Sequence, residues 1–100
     1  MVKAEKGMLA RSLAGHDQNR LYIIIRAEEE YVWLADGRLR TLEKPKKKKR
    51  KHVQIHHQIP EPVNSILKSE KTLRDEEIKQ AIQSESRRRQ EDKDVKSRCN

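Results

Sequence analysis

Apolar side chains are scarce in this chain, and the longest uninterrupted apolar runs, residues 21–25 and 31–35, are five residues each. A membrane-spanning helix needs about 18 consecutive apolar residues, so we expect no membrane partner. Hydrophobic residues make up 33% of the 100-residue chain, which permits one small domain with a thin core. A thin core leaves no room for a deep substrate cavity with a catalytic shell. The sequence therefore predicts neither an enzyme nor a protein that binds a cofactor or a small-molecule substrate.

Residues 7–57 show the pattern of several short strands with tight turns, which predicts a small antiparallel β-barrel. The predicted strands cover residues 8–12, 21–26, 31–35, 38–42 and 53–55. The pair Asp36-Gly37 is typical of a type I′ hairpin, so the strand at 31–35 should pair with the one at 38–42. The core candidates are Leu9, Ile23, Ile25, Val32, Leu34 and Leu39, with Trp33 or Tyr31 partly buried.

Two short helices are expected in residues 58–84, after Pro60 and Pro62 end the β region. Apolar residues recur there at i, i+3 and i+4, at Val63, Ile66 and Leu67 and again at Ile78, Ala81 and Ile82. Residues 1–6 are expected to be a mobile lead, and the highly charged residues 85–100 a disordered tail or a frayed helix. The predicted fold class is therefore mainly β with C-terminal α.

Almost all of the excess positive charge lies in one segment, residues 44–51. The formal net charge of the chain is +8. Seven of these charges come from Lys44, Lys46, Lys47, Lys48, Lys49, Arg50 and Lys51. Like charges at this density repel one another, so we expect a solvated basic loop. Such a loop neutralises phosphates and releases condensed counterions, which favours strong, salt-dependent binding to nucleic acid.

Residues 14–20 form a second candidate contact. Gly15 permits a positive φ, and Asn19 is one of the few other residues that tolerates it. Asp17, which lies between them, can accept hydrogen bonds from neighbouring amides as an Asx turn. The backbone N–H groups of this loop, with His16 and Arg20, are suited to contact phosphate or sugar. A loop that only connects two strands explains the same residues equally well.

Residues 7–26 resemble the KOW motif, a strand–loop–strand unit built around a glycine that Gly15 matches. The stretch 35–40, followed by the lysine run and His52, is similar to short bacterial KOW-domain RNA-binding proteins. Those proteins are related to large-subunit ribosomal proteins of the archaeal and eukaryotic type. The resemblance covers residues 7 to about 57 and implies an SH3-like barrel and ribosome-associated RNA binding. Relatives commonly have a second glycine where this chain has Asn19, so we expect the turn to survive with weaker phosphate contacts.

The predicted function is therefore RNA binding without catalysis. Ribosomal RNA of the large subunit is the expected target, and ribosomal proteins are further candidate partners. The predicted RNA-binding residues are Arg11, Gly15, His16, Asn19, Arg20, Arg38, Arg40, the seven basic residues of segment 44–51, and His52. Two alternatives remain open: an adaptor whose helical stripes dock on a partner protein and whose basic run only tethers it to RNA or DNA, and a protein that binds duplex DNA.

The histidines, the cysteine and the aromatic residues do not predict a metal site, a disulfide or a base-stacking surface. His56 and His57 are adjacent, so on a strand they point to opposite faces, and no metal site is expected. The single cysteine, Cys99, has no partner for a disulfide, which favours a reducing, cytoplasmic setting. The three aromatic residues all lie in predicted strands, which favours core positions over stacking on bases.

Overall fold

The structure, a computed structural model, describes the backbone of residues 4–99 and the side chains of residues 4–87. The described strands are β1 (Leu9–Ser12), β2 (Leu21–Ala27), β3 (Tyr31–Ala35), β4 (Lys46–Lys49) and β5 (Val53–His56). They are followed by the helices α1 (Val63–Lys68) and α2 (Asp75–Cys99). The prediction of a mainly β chain with C-terminal helices is confirmed. Of the lead expected at 1–6, residues 1–3 lie outside the described residues, and Ala4 packs against the core.

The strands form one antiparallel sheet in the order β4-β3-β2-β1-β5. The two edge strands are consecutive in the chain and are joined by a single 3-10 turn, Arg50–His52. Four chain steps reach at most about 14 Å, so the two edges approach each other at this corner and the sheet curls on itself. The corner is held by Leu13 N–H, which donates to His52 O, and by Arg50 N–H, which donates to Glu30 O, both at 2.9 Å.

Both faces of the sheet are buried around β2, which explains its three successive isoleucines. Ile24 points into the curl, where it belongs to the same cluster as Val32 and Leu34. Ile23 points to the opposite face and belongs to the cluster that the helices complete. Ile25 lies at a bulge in the pairing of β2 with β3 and is only half-buried.

The core prediction is correct in part. Leu39 is wrong, since it is 73% exposed. The named core candidates omitted Ile24, and also Tyr22, which was expected in the core only as one of the aromatic residues; they are 0% and 2% exposed. The candidates confirmed as buried are Leu9, Ile23, Val32 and Leu34. The missed residues are those that alternate with the predicted ones along β2, because a strand with two buried faces needs apolar side chains at every position.

Residues 38–42 do not form the expected return strand, and β3 pairs with β4 instead. The carboxylate of Asp36 organises a wider turn, in which its Oδ1 accepts hydrogen bonds from the N–H groups of Arg38 and Arg40, both at 2.9 Å. Arg40 O in turn accepts from the N–H groups of Asp36 and Gly37. These bonds within the turn replace those of a strand ladder. The Asp-Gly pair therefore marked the place of a turn but not its length.

The two helices cover the outer face of the sheet, which is the face that carries Ile23. Val63 on α1 and Ile78 and Ala81 on α2 are fully buried there. Helix α2 continues to Cys99, so the segment 85–100, expected to be a disordered tail or a frayed helix, is helical as far as that residue. This segment contains neither glycine nor proline and is rich in Glu, Gln, Lys and Arg, which are strong helix formers. Within the described residues, no helix combines the length and the apolar character needed to cross a lipid bilayer.

Gly37 lies against the backbone of the first turn of α2. A Cβ at this position would overlap Asp75 O and press on Lys79 N, and the φ of Gly37 is 80°. We expect Gly37→Ala to lower the free energy of unfolding by about 1–2 kcal/mol through backbone strain. The overlap should add about 1–3 kcal/mol to this loss. Urea denaturation measures the change.

Gly15→Ala is the matched control for this prediction. Gly15 also has a positive φ, 89°, but a Cβ there would meet other atoms only at 3.6 Å and beyond. The control should lose the strain component alone. Equal losses in the two variants would show that the turn after β3 does not press on α2.

Candidate functional site

Asp17 is the buried centre of the loop between β1 and β2, and the residue is 5% exposed. Its Oδ1 accepts hydrogen bonds from Ser12 Oγ at 2.9 Å and from Lys48 Nζ at 2.8 Å. Its Oδ2 accepts from Tyr22 OH at 2.9 Å and from Lys46 Nζ at 2.8 Å. The four donors lie on β1, β2 and β4, so a single carboxylate links three strands.

The loop around Asp17 has the backbone that its residues predict. Gly15 and Asn19 have φ angles of 89° and 72°, so Asn19 keeps the turn without a second glycine. The expectation that Asp17 bonds neighbouring amides is corrected, because its oxygens accept from side chains. His16 and Arg20, with Gly15 and Asn19, are exposed on the outside of the loop. The loop therefore presents these four residues outward from an internal anchor.

The charge state of the cluster follows from its contacts. Burial raises the pKa of Asp17, but hydrogen bonds from Lys46, Lys48, Ser12 and Tyr22 outweigh burial and hold this pKa well below its usual value. Burial, together with the neighbouring carboxylate, raises the pKa of Tyr22 well above its usual value. Asp17 is therefore a carboxylate, and Tyr22 a neutral phenol, throughout the physiological pH range.

The lysine run is not the solvated basic loop that we expected over residues 44–51, because Lys46–Lys49 form β4. Alternation along a strand sends successive side chains to opposite faces. Lys46 and Lys48 point to Asp17, with side chains 26% and 10% exposed. Lys47 and Lys49 are exposed on the outer face. The buried carboxylate thus pairs with two of the four ammonium groups, offsets one positive charge, and makes a strand of lysines possible.

A groove of 800 Å³ opens between the loop at 14–20, the turn after β3 and one face of α2, and we call it the basic groove. Its charged lining residues are Arg11, Arg20, Arg38, Lys79, Arg87 and Asp36. Five of these six side chains are cations. The carboxylate of Asp36 already accepts two backbone N–H groups of its own turn. The groove is therefore suited to an extended anion such as a phosphate backbone.

Sequence reasoning missed the contribution of α2 to the basic groove. Lys79, Ile82, Gln83, Ser86 and Arg87 all line it, and they recur at i, i+3, i+4, i+7 and i+8, which is one helical face. The signal was present in the sequence. It was overlooked because the helices were expected to end near residue 84 and residues 85–100 were expected to be a disordered tail or a frayed helix.

The other predicted contact residues lie outside the basic groove. Arg40 and Lys44 are exposed in the segment that leads into β4. Residues 50–52 form the turn between the sheet edges, where Arg50 and Lys51 share a small pocket with Glu29 and Glu30. Of the predicted set, the structure gathers Arg11, Asn19, Arg20 and Arg38 in one place.

No protein-family model matches the chain, and comparison with curated proteins finds no significant match. Its function is therefore inferred from its own residues and their geometry.

The two faces of β4 give a matched test of the Asp17 cluster. Lys48→Gln removes an ammonium group that is bound to the buried carboxylate, and we expect it to lower the free energy of unfolding by about 3 kcal/mol. Lys49→Gln removes the same charge from the exposed face and should change stability by less than about 0.5 kcal/mol. Urea denaturation of both variants measures the difference. Equal stabilities would mean that the ion pair does not hold the strand.

The stability of the protein should fall in acid because of Asp17. The pKa of this carboxyl is lower in the folded chain than its unfolded value of about 3.9. Its contribution to stability is therefore complete above about pH 4 and is lost as the pH falls further. Asp17→Asn should be less stable at neutral pH and should lose less stability in acid than the unaltered protein. Unfolding free energies that fall in parallel for the two proteins would contradict this.

Proposed function

We propose that this protein binds RNA without catalysing a reaction, and that the basic groove is its main contact with the phosphate backbone. One observation carries this proposal: five cationic side chains converge on a single open groove. They come from β1, the loop at 14–20, the turn after β3, and α2. The fold thus collects, from distant parts of the chain, charges that the sequence does not place together.

The chemistry of the basic groove suits phosphate. Four of its five cations are arginines, whose planar guanidinium groups form paired hydrogen bonds with phosphate oxygens. Neutralised phosphates release counterions, which gives affinity that depends on salt and little on base sequence. Leu21 and Ile82 also line the groove, and they offer apolar surface to sugars.

The anchored loop at 14–20 extends this contact. Arg20 and Asn19 line the groove, and His16 is exposed beside them on the same loop. Because Asp17 holds the loop from within, these side chains are presented on a fixed support, which places polar contacts more accurately than a mobile loop does. We therefore assign to the loop the positioning of the RNA backbone relative to the groove.

The choice of RNA over DNA rests on the resemblance of residues 7–57 to KOW domains. A strand–loop–strand unit with a glycine at positive φ, Gly15, within a curled antiparallel sheet is consistent with that resemblance. On this basis we propose an SH3-like barrel of the KOW type, with large-subunit ribosomal RNA as its target and the ribosome in the cytoplasm as its location.

The apolar faces of α1 and α2 are buried, which favours RNA binding over the adaptor alternative. That alternative needs the apolar residues of α1 and α2 for a partner protein. Val63, Ile78 and Ala81 are instead fully buried against the chain's own sheet. The apolar surface that an adaptor would present is therefore already occupied at these positions.

Substitutions in the basic groove test the proposal. Arg20→Gln and Lys79→Gln should each weaken binding to RNA hairpins of different sequence by similar factors. Each should also reduce the slope of log affinity against log salt concentration by about 0.7–0.9, the value for one lost phosphate contact. Fluorescence anisotropy of a labelled hairpin, titrated at several salt concentrations, measures both quantities.

Lys68→Gln and Lys71→Gln are the matched controls, since both lysines are exposed near the end of α1 and do not line the groove. They should have little effect on affinity or slope. Equal effects of all four variants would show that net charge, and not the groove, carries the affinity. Duplex DNA bound as tightly as RNA would contradict the choice of RNA.

A further inference from the structure

A second charged surface lies on the outer face of β2, β3 and β4, where Arg26, Tyr31, Trp33, Lys47 and Lys49 form what we call the aromatic patch. Arg26 is paired with Trp33, Trp33 with Lys47, and Tyr31 with Lys49. Directly paired residues of antiparallel strands point to the same face. The patch is therefore a cross-strand array that ends at an edge strand, and none of its residues lines the basic groove.

Two of the three cations of the aromatic patch, Arg26 and Lys47, lie over its rings. The guanidinium carbon of Arg26 is 4.8 Å from the centre of the Trp33 ring. The Lys47 ammonium is 4.3 Å from the centre of the Tyr31 ring and 5.5 Å from that of the Trp33 ring. Both rings are half-buried, whereas Arg26, Lys47 and Lys49 are exposed. The expectation that Trp33 or Tyr31 is partly buried is confirmed. Both rings lie on the outer face, but neither belongs to the cluster that the helices complete there.

The spacing of the rings suits two successive nucleotides. Tyr31 and Trp33 are two residues apart on one strand, which separates their side chains by about 7 Å. An unstacked single strand can place neighbouring bases at comparable distances, whereas the stacked bases of a duplex lie much closer together. Rings and guanidinium planes are the surfaces on which unpaired bases stack, and adjacent ammonium groups bind the phosphates between them.

We propose that the aromatic patch is a second RNA site, which takes a short single-stranded segment with one base at Tyr31 and the next at Trp33 and the Arg26 guanidinium. Lys47 and Lys49 contact its phosphates. This inference rests on the proposed function, because it assumes that RNA is the ligand. It goes beyond that function by specifying the RNA target. The target would have one part whose backbone binds in the groove and a second, single-stranded part whose bases bind on the patch.

The acidic turn between β2 and β3 makes one end of the aromatic patch unfavourable for phosphate. Glu28 Oε2 accepts from Arg26 Nη2 at 2.6 Å, and Glu29 and Glu30 are exposed beside it. Lys49 pairs with Tyr31 at this acidic end and shares a small pocket with Glu29 and Glu30. Phosphates are therefore bound more favourably at Lys47 than at Lys49.

Intrinsic fluorescence tests the inference directly, since Trp33 is the only tryptophan of the chain. Titration with short oligouridylate should quench its emission to a saturating value, because a base comes to lie against the ring. Tyr31→Leu should weaken this binding by about five- to 160-fold, the range for loss of one stacked base. Tyr31→Phe keeps the ring and should bind as the unaltered protein does.

Further variants separate stacking from charge and from folding. Lys47→Gln should weaken oligouridylate binding several-fold, whereas Lys71→Gln should not, and both residues are exposed, so folding is preserved. Lys68→Gln, which lies outside both the basic groove and the aromatic patch, should leave the quenching amplitude at saturation unchanged. Far-ultraviolet circular dichroism of each variant verifies that it is folded.

Two results distinguish failure of this inference from failure of the proposed function. If hairpin RNA binds with groove-dependent affinity but oligouridylate neither binds nor quenches Trp33, the second site is refuted and the proposed function stands. Equal oligouridylate affinity of Tyr31→Leu and Tyr31→Phe also refutes it. If neither RNA binds in dilute buffer, the proposed function fails, and the inference fails with it.

Discussion

The carboxylate of Asp17 is the interaction on which the rest of the structure depends. It accepts from Ser12 on β1, Tyr22 on β2, and Lys46 and Lys48 on β4. Four consecutive lysines repel one another and have low strand propensity, so β4 needs a partner for its inward charges. A single buried anion supplies it. The same contacts close the curled sheet and fix the loop whose outer side carries His16 and Arg20.

The segment with the most positive charge in the sequence is not the segment that forms the basic groove of the folded protein. The lysine run has the highest charge density in the chain, yet two of its ammonium groups are engaged by Asp17 and serve the fold. Arg11, Arg20, Arg38, Lys79 and Arg87 are separated along the chain and meet in one groove. The distribution of exposed positive charge is therefore a property of the folded surface, and charge density along the sequence is a poor guide to it.

The parts of the fold that follow from local rules were predictable. Strands β2 and β3 are runs of β-branched and aromatic residues, and the positive φ of Gly15 and Asn19 follows from their side chains. Strand β4 was not predictable from local patterns, since its pairing depends on Asp17, about 30 positions earlier in the chain. The basic groove was found in part. Arg11, Arg20 and Arg38 come from segments that the motif drew attention to, whereas Lys79 and Arg87 required the correct length of α2.

The packing of Gly37 against the first turn of α2 has a consequence for recognition. Leu42 N–H also donates to the side-chain Oδ1 of Asp75 at 2.8 Å, so two walls of the basic groove are joined by close packing and by a hydrogen bond. Walls in such contact cannot move closer together around a ligand. The backbone of the groove is therefore preorganised, which lowers the conformational entropy that a bound ligand would cost. For the proposed RNA ligand, the consequence is discrimination by shape: a double helix of fitting width would enter unchanged, and a wider or narrower one would have to deform.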